Sequence, residues 1–210
     1  MIKRGYVPDV VLYSIIIDGF VKALKLQDAF RLCNKMLGEG IKPNIFTYAS
    51  LINGLCHDDR LPEVFELWKH MIGEEVEPDR IVYTSVIACY CRRSNTEAAW
   101  ELLREMERRG LSPDAFVYTC LIDGFSKMLA MEDACRMMEE MENKKLKPTV
   151  VTYTALIVGY FKTGDEKQAK MVYKSMLQAG ITPDAKLSCI LDLSNDEGDS
   201  KHSHKAKDAF

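Results

Sequence analysis

Three columns of polar side chains recur every 35 residues, and their types are those that hydrogen-bond to a ligand edge or pair with an anion. The first column holds Ser14, Ala49, Thr84, Thr119 and Thr154. The second holds Asn44, Asp79, Asp114, Thr149 and Asp184, and the third holds Lys22, His57, Arg92, Lys127 and Lys162. A short hydroxyl beside a carboxylate or amide presents donors and acceptors a few ångströms apart. A fourth column, Val11, Phe46, Ile81, Phe116 and Val151, is apolar. Each column also has an ordinary structural use. Asp, Asn or Thr directly before a helix is an N-cap contributing about 1 kcal/mol. A cation near a helix C-terminus is favourable by about 0.3 to 1 kcal/mol. A small residue lets neighbouring helices approach, and an apolar one packs at a helix entrance. No pattern of a catalytic site accompanies the columns. The chain carries no glycine-rich phosphate loop, no spaced serine, histidine and acid, and no HxE with CxxC. His202 and His204 form an HxH in a polar tail, too few ligands for a metal site. No cofactor is expected.

The elements that must position these columns follow from the same period. A phrase of 35 residues begins at Val10, Ile45, Arg80, Ala115 and Val150, so units span 10–44, 45–79, 80–114, 115–149 and 150–184. Strict periods of this length signal stacked supersecondary units, none of which buries its apolar face alone. Tyr13, Ile16, Ile17 and Phe20 follow helical spacing, as do Ala29, Leu32, Cys33 and Met36, which predicts two helices per unit. Tyr13, Tyr48, Tyr83, Tyr118 and Tyr153 are expected in the core with Met36, Met71, Met106, Met141 and Met176. Gly40, Gly110 and Gly180 end the second helix, each followed three residues later by proline. Glu75 and Lys145 stand where that glycine belongs, so those two turns should be strained or differently closed. Gly19, Gly54, Gly124 and Gly159 recur inside the first helix, with Cys89 as the exception. A glycine there costs about 1 kcal/mol against alanine, which close helix approach would justify. The exposed acids Glu139, Glu140 and Glu142 are expected on a solvated outer face.

Composition sets the limits. With 210 residues, 47% apolar content and a net charge of −3, the chain can bury a sizeable core. Seven cysteines, at 33, 56, 89, 91, 120, 135 and 189, are scattered and include no CxxC, so a reducing compartment is expected. No apolar run reaches the roughly 18 to 20 residues that span a bilayer, and no membrane partner is expected. Lys3 and Arg4 before the apolar run from Val10 imitate a signal peptide, but the run returns at Ile81 and Val150 as part of the repeat. Residues 1–9 read as the tail of a preceding unit, which makes the chain a C-terminal fragment. Residues 185–193 read as a degenerate cap helix and 194–210 as a disordered polar tail.

The phrases from Val150 to Tyr160 (VVTYTALIVGY) and from Gly180 to Asp184 (GITPD) resemble the consensus of the P-type pentatricopeptide repeat of plant organelles. The tetratricopeptide repeat is a relative, but its period is 34 and its first helix carries an early tryptophan where this chain has tyrosine. The resemblance implies an all-α fold, a right-handed α-solenoid, that binds single-stranded RNA without catalysis in mitochondria or chloroplasts. Processing, stabilisation, splicing or translation of transcripts, with protein partners in organellar RNA complexes, would be the setting. It assigns one base per repeat to the residues at positions five and thirty-five. Ser14 with Asn44 would read adenine, and Thr84 with Asp114 and Thr154 with Asp184 would read guanine. Ala49 with Asp79 lacks the hydroxyl and Thr119 with Thr149 lacks the carboxylate or amide, so those two bases stay open. With the family's polarity the word is 5′-A, any, G, any, G-3′, and Asp9 would close one more site. Position two, Val11, Phe46, Ile81, Phe116 and Val151, would wedge between bases. Position thirteen, Lys22, His57, Arg92, Lys127 and Lys162, would meet phosphates despite the negative net charge. The alternative is a helical solenoid that scaffolds protein partners.

Overall fold

Apolar spacing turns into ten helices among the described residues, and none of those residues is in a strand. A computed structural model describes residues 8–184 and 187. The helices are α1 (Val10–Lys22), α2 (Leu26–Gly38), α3 (Ile45–His57), α4 (Leu61–Gly73), α5 (Arg80–Arg92), α6 (Thr96–Arg108), α7 (Ala115–Lys127), α8 (Met131–Asn143), α9 (Val150–Thr163) and α10 (Glu166–Gln178). Odd-numbered helices open the five phrases and even-numbered ones close them. The expected cap helix and polar tail lie outside the described residues, as do residues 1–7; of the region after Asp184 only Leu187 is described. No helix among the described residues is long and apolar enough to cross a membrane.

The chain forms two compact units that meet within α7, one ending at Gly124 and the other beginning at Phe125. In the first, α1 packs on α2 and α3, α3 on α4 and α5, and α5 on α6. First helices therefore stack on first helices, the arrangement of an α-helical solenoid. In the second, α9 packs on α8 and α10, around Tyr153, Ile157, Ala169, Met176 and Leu187.

The core is the set of columns that the period makes apolar. All five tyrosines are buried, and all five column methionines are fully so. Each of the first four tyrosines also satisfies its hydroxyl on a second helix, as a buried phenol must. Tyr13 donates to Glu39 at 2.6 Å and Tyr83 to Glu105 at 2.9 Å. Tyr48 pairs with His70 Nδ1 at 2.9 Å, and Tyr118 donates to Glu107 at 3.4 Å. Burial and the Glu105 carboxylate push the Tyr83 phenol well above its ordinary value. One apolar expectation fails at the first repeat. Ile16 is 38% exposed, whereas Leu51, Val86, Leu121 and Leu156 at the same position are buried. In the second and third repeats the preceding first helix packs against the one that carries this residue, and α1 has no such neighbour among the described residues.

Close approach explains three of the four helical glycines. A Cβ built on Gly54 would stand 2.8 Å from Leu26 Cδ1, on Gly124 2.9 Å from Thr96 Cγ2, and on Gly159 2.6 Å from Met131 Sδ. Nothing lies within 4 Å of the corresponding point on Gly19, again at the first repeat.

Every repeat turns twice through a left-handed residue, and the sequence marks fewer than half of these. The turn inside the repeat uses Leu24, Asp59, Ser94, Leu129 and Gly164, and the turn between repeats uses Gly40, Glu75, Gly110, Lys145 and Gly180. Both close with a six-to-one hydrogen bond. The Lys25 N–H donates to the Phe20 carbonyl at 2.9 Å, and the Ile41 N–H to the Met36 carbonyl at 3.0 Å. Glu75 (φ 59°) and Lys145 (φ 60°) close like the glycines, with Val76 donating to Met71 and Leu146 to Met141, both at 3.0 Å. The hydrogen bonds are kept and the backbone carries the strain. A non-glycine residue there costs about 1 to 2 kcal/mol, partly offset by the greater unfolded-state freedom of glycine. Lys145→Gly is expected to raise stability by about 0.5 to 1 kcal/mol, read as a higher urea midpoint. Gly110→Ala should lower that midpoint.

Candidate functional site

The residue before each first helix is held in place by capping. Asp79 Oδ1 accepts from the Val82 N–H at 3.0 Å, and Asp114 Oδ1 from the Phe116 and Val117 N–H groups, both at 3.1 Å. Asp184 Oδ1 accepts from Leu187 at 2.8 Å, and Asp9 Oδ1 from Leu12 at 2.9 Å. Thr149 exchanges its hydroxyl with that of Thr152 at 3.2 Å, while its own N–H donates to Thr152 Oγ1 at 3.1 Å. The structural use foreseen for this column is thus realised. Capping also fixes the side chains: one carboxylate oxygen faces the helix N-terminus, and the second lies outside the cap. At Asp114 that second oxygen meets Arg80 Nη1 at 3.2 Å, a partner that the columns gave no reason to expect.

Position five sits one turn inside the helix, and three of its hydroxyls bond back to the backbone. Ser14 donates to the Val10 carbonyl at 2.7 Å, Thr84 to Arg80 at 2.7 Å and Thr119 to Ala115 at 2.8 Å. Ala49, Thr84, Thr119 and Thr154 are half-buried. Thr154 Oγ1 is buried with no hydrogen-bond partner among the described residues. Ser14 departs from the expectation of an exposed hydroxyl, being 2% exposed. Its Oγ is hydrogen-bonded to Thr47 Oγ1 at 2.6 Å and lies 3.3 Å from Asn44 Oδ1. Asn44 Oδ1 also accepts from the Thr47 N–H and hydroxyl, both at 3.0 Å. With its oxygen occupied, Asn44 keeps its amide NH₂ as a donor. The signal for this network was legible: Thr47 stands at position three, where the third and fourth repeats carry Val82 and Val117.

The apolar column is solvent-facing without exception. Val11 is 55% exposed, Phe46 48%, Ile81 61%, Phe116 57% and Val151 58%. Five large apolar side chains left in water at one period are a cost to folding that packing at a helix entrance does not explain. The cations of position thirteen are exposed as well. Lys22 pairs with Asp18 at 2.6 Å, and His57 Nδ1 lies 3.5 Å from Asp58. The Arg92 guanidinium donates to the Cys56 carbonyl, which aims it across two repeats.

Three of the four columns converge in one place within the first unit. A cavity of about 420 Å³ is lined by Asn53, Cys56, His57, Thr84, Ser85, Ala88, Arg92 and Phe116. It brings together the position-five hydroxyl of the third repeat, the position-thirteen cations of the second and third, and the position-two aromatic of the fourth. Asn53 and Ser85 were not singled out by the columns, although both are polar and adjacent to column residues in the helical wheel. A second cavity, about 460 Å³, lies against α4 and α6 and includes Phe65, Trp68 and Trp100. Lys69 stacks over Phe65 and Arg104 over Trp100.

A model of the PPR repeat family matches residues 8–57, 78–127, 113–159 and 148–186, and a PPR repeat model matches 46–76. No curated protein sequence matches the chain. Among solved structures, the pentatricopeptide repeat protein PPR10 in complex with an 18-nt psaJ RNA element superposes with a TM-score of 0.74 at 22% identity, over 86% of this chain and 27% of that one. PPR10 from maize gives a TM-score of 0.65 at 23% identity, over 88% of this chain and 26% of that one. The PPR domain of Arabidopsis thaliana protein-only RNase P 1 in complex with tRNA gives 0.77 at 16% identity, over 89% and 98%. The chain therefore spans about a quarter of PPR10 and nearly all of that PPR domain.

The contrast between Ser14 and Thr84 has a measurable consequence. Ser14→Ala removes one of the two side-chain partners of the buried Thr47 hydroxyl and leaves a gap in the network, and is expected to cost about 1 kcal/mol. Thr84→Ala removes only a bond to its own helix and should stay within about 0.5 kcal/mol of wild type. Urea denaturation of the two variants checks the difference.

Proposed function

The chain belongs to the pentatricopeptide repeat family, and from that premise we propose that it binds single-stranded RNA and reads one base per repeat. The observation that carries this reading is the cavity shared by Thr84, His57, Arg92 and Phe116. A nucleotide has a planar apolar face, a hydrogen-bonding edge and a phosphate, and these residues offer a counterpart to each. A base stacked on an exposed aromatic such as Phe116 gains about 1 to 3 kcal/mol. Arg92 and His57 lie on the side where a backbone phosphate would be met, and Thr84 Oγ1 with Asp114 would face the base edge. That the structures of PPR10 and of the RNase P domain were solved with RNA supports the same class of ligand.

The base assignments acquire a chemical rationale from the capping geometry. Guanine presents N1–H and N2–H donors, which suit a carboxylate acceptor at Asp114 and Asp184, and at Asp114 the base would share Oδ2 with Arg80. Adenine presents an N1 acceptor and N6 donors, and the Asn44 amide NH₂ supplies the donor for N1. Ser14, enclosed in its network, then acts by orienting Asn44 rather than by touching the base. Ala49 with Asp79 and Thr119 with Thr149 are left permissive. Three discriminating repeats select roughly one random site in 64, so affinity for a unique transcript requires more repeats than these. Val11, Phe46, Ile81, Phe116 and Val151 are the wedges, and Lys22, His57, Arg92, Lys127 and Lys162 the phosphate contacts. The setting is organellar transcript processing, stabilisation, splicing or translation, in a mitochondrion or chloroplast, with the chain acting as a binder without catalysis of its own.

Two measurements test the reading. Binding of 5′-A, any, N, any, G-3′ pentamers with each base at N should favour guanine for wild type, and Thr84→Asn should move the preference toward uracil. Equal binding of all four RNAs by both proteins would remove base reading from the third repeat. Arg92→Ala should weaken every RNA alike and reduce the slope of log K against log salt by about 1. An unchanged slope would sink the phosphate role of Arg92.

A further inference from the structure

Position one of the repeat is apolar at Val10, Ile45, Ala115 and Val150, and Arg80 is the exception. This arginine touches both members of the pair proposed to read a base in the third repeat. Its carbonyl accepts from the Thr84 hydroxyl at 2.7 Å, and its Nη1 donates to Asp114 Oδ2 at 3.2 Å across 34 residues of chain. Asp114 Oδ1 is committed to the Phe116 and Val117 N–H groups, both at 3.1 Å. Each oxygen of this carboxylate therefore has a partner before a base arrives. Valine, isoleucine and alanine at position one bring no side-chain donor, so the other repeats have no counterpart to this contact. The two side chains are about half exposed, and an ion pair that open to water is held loosely. A base edge can share Oδ2 with Arg80 without having to expel it. The guanidinium carries five N–H donors, and Asp114 is its one partner among the described residues.

We propose that Arg80 is a specificity-determining residue of the third repeat, which narrows the discrimination between guanine and adenine by sharing Asp114 Oδ2 with the base. The assignment rests on the base reading proposed above. A carboxylate alone separates the two purines by the sign of what they present. It accepts from the N1–H and N2–H of guanine, whereas adenine sets the lone pair of N1 against it beside the N6 donors. A guanidinium bonded to the same oxygen changes both sides of that comparison. Adenine N1 now meets an arginine N–H while N6–H reaches the carboxylate, so its repulsive contact is relieved. Guanine keeps its hydrogen bonds but takes them from an oxygen already in use, so each is worth less. The contrast between the purines shrinks from both directions. The third repeat thereby admits either purine with a limited preference for guanine, and position one joins positions five and thirty-five in setting what it reads.

The repeat itself supplies the substitutions. Arg80→Val installs the residue that the first and fifth repeats carry at position one, and Arg80→Ala the one that the fourth carries. Fluorescence anisotropy with the full chain measures dissociation constants for labelled RNA pentamers that differ only in guanine or adenine at the third base, with uracil at the second and fourth. The ratio of the adenine to the guanine constant should rise about fivefold in Arg80→Val over wild type, the worth of one hydrogen bond. The same ratio taken at the fifth base should not move. In an Asp114→Ala background, Arg80→Val should leave the third-base ratio where it stands, because the shared oxygen is gone. A third-base ratio unchanged or lowered by Arg80→Val, in a protein whose wild type favours guanine, overturns the proposal and leaves base reading intact. Equal binding of both RNAs by both proteins overturns the proposal together with base reading in the third repeat. An equal rise in the Asp114→Ala background also overturns it, since Arg80 would then act without the carboxylate. Helical circular dichroism accompanies each variant, and Arg80→Ala decides by the same ratio should Arg80→Val lose its helical signal.

Discussion

The close approach of one first helix to the next is the constraint on which the rest of the molecule depends. At Gly54, Gly124 and Gly159 the neighbouring repeat comes so near that a Cβ would meet side-chain atoms at less than 3 Å. Those atoms belong to Leu26, Thr96 and Met131, which open the preceding second helices, and beside them position twelve of one repeat lies against position ten of the next, Val21 against Gly54, Cys91 against Gly124 and Ser126 against Gly159. The same stacking brings the position-five hydroxyl of one repeat within reach of the residue at position three of the next, as Ser14 meets Thr47 at 2.6 Å. Helix spacing thereby becomes site spacing. A looser stack would separate His57, Thr84, Arg92 and Phe116, which belong to three successive repeats and yet line one cavity.

Around that contact, stability and ligand chemistry are divided between faces of the same helices. Tyrosine and methionine columns point inward, and the tyrosine hydroxyls clamp first helices to second helices through Glu39, His70, Glu105 and Glu107. The valine, isoleucine and phenylalanine of position two point outward instead and are about half exposed or more. The residue before the helix serves both ends. Its cap hydrogen bond is worth about 1 kcal/mol to the helix, and the same bond immobilises the group that would meet a ligand. Preorganisation of this kind removes part of the ordering cost of binding.

Strain is distributed in the turns. Six of the ten left-handed turn residues are not glycine, yet the six-to-one hydrogen bonds are present at Leu24, Glu75 and Lys145 as at Gly40. The period of the stack demands the same turn each time, so a local residue unsuited to it is carried by the packing of the helices on either side. The same logic allows Cys89 in a glycine column. Its side chain is fully buried there.

Most of the fold was legible, because a period of 35 residues imposes the same burial on the same column and apolar residues cannot be left out of it at low cost. From the sequence alone came the all-helical repeat, the helix pairs, the buried tyrosines and methionines, and the strained turns at Glu75 and Lys145. What only the tertiary structure decided lies at contacts between repeats, which a one-dimensional period does not encode. Ser14 is enclosed by Thr47, Asp114 is engaged by Arg80, Gly19 has no close neighbour, and Ile16 is exposed. Each depends on the particular residue that the next or preceding repeat places opposite. Repetition specifies that two helices meet, and the side chains found at that meeting specify what the contact can do.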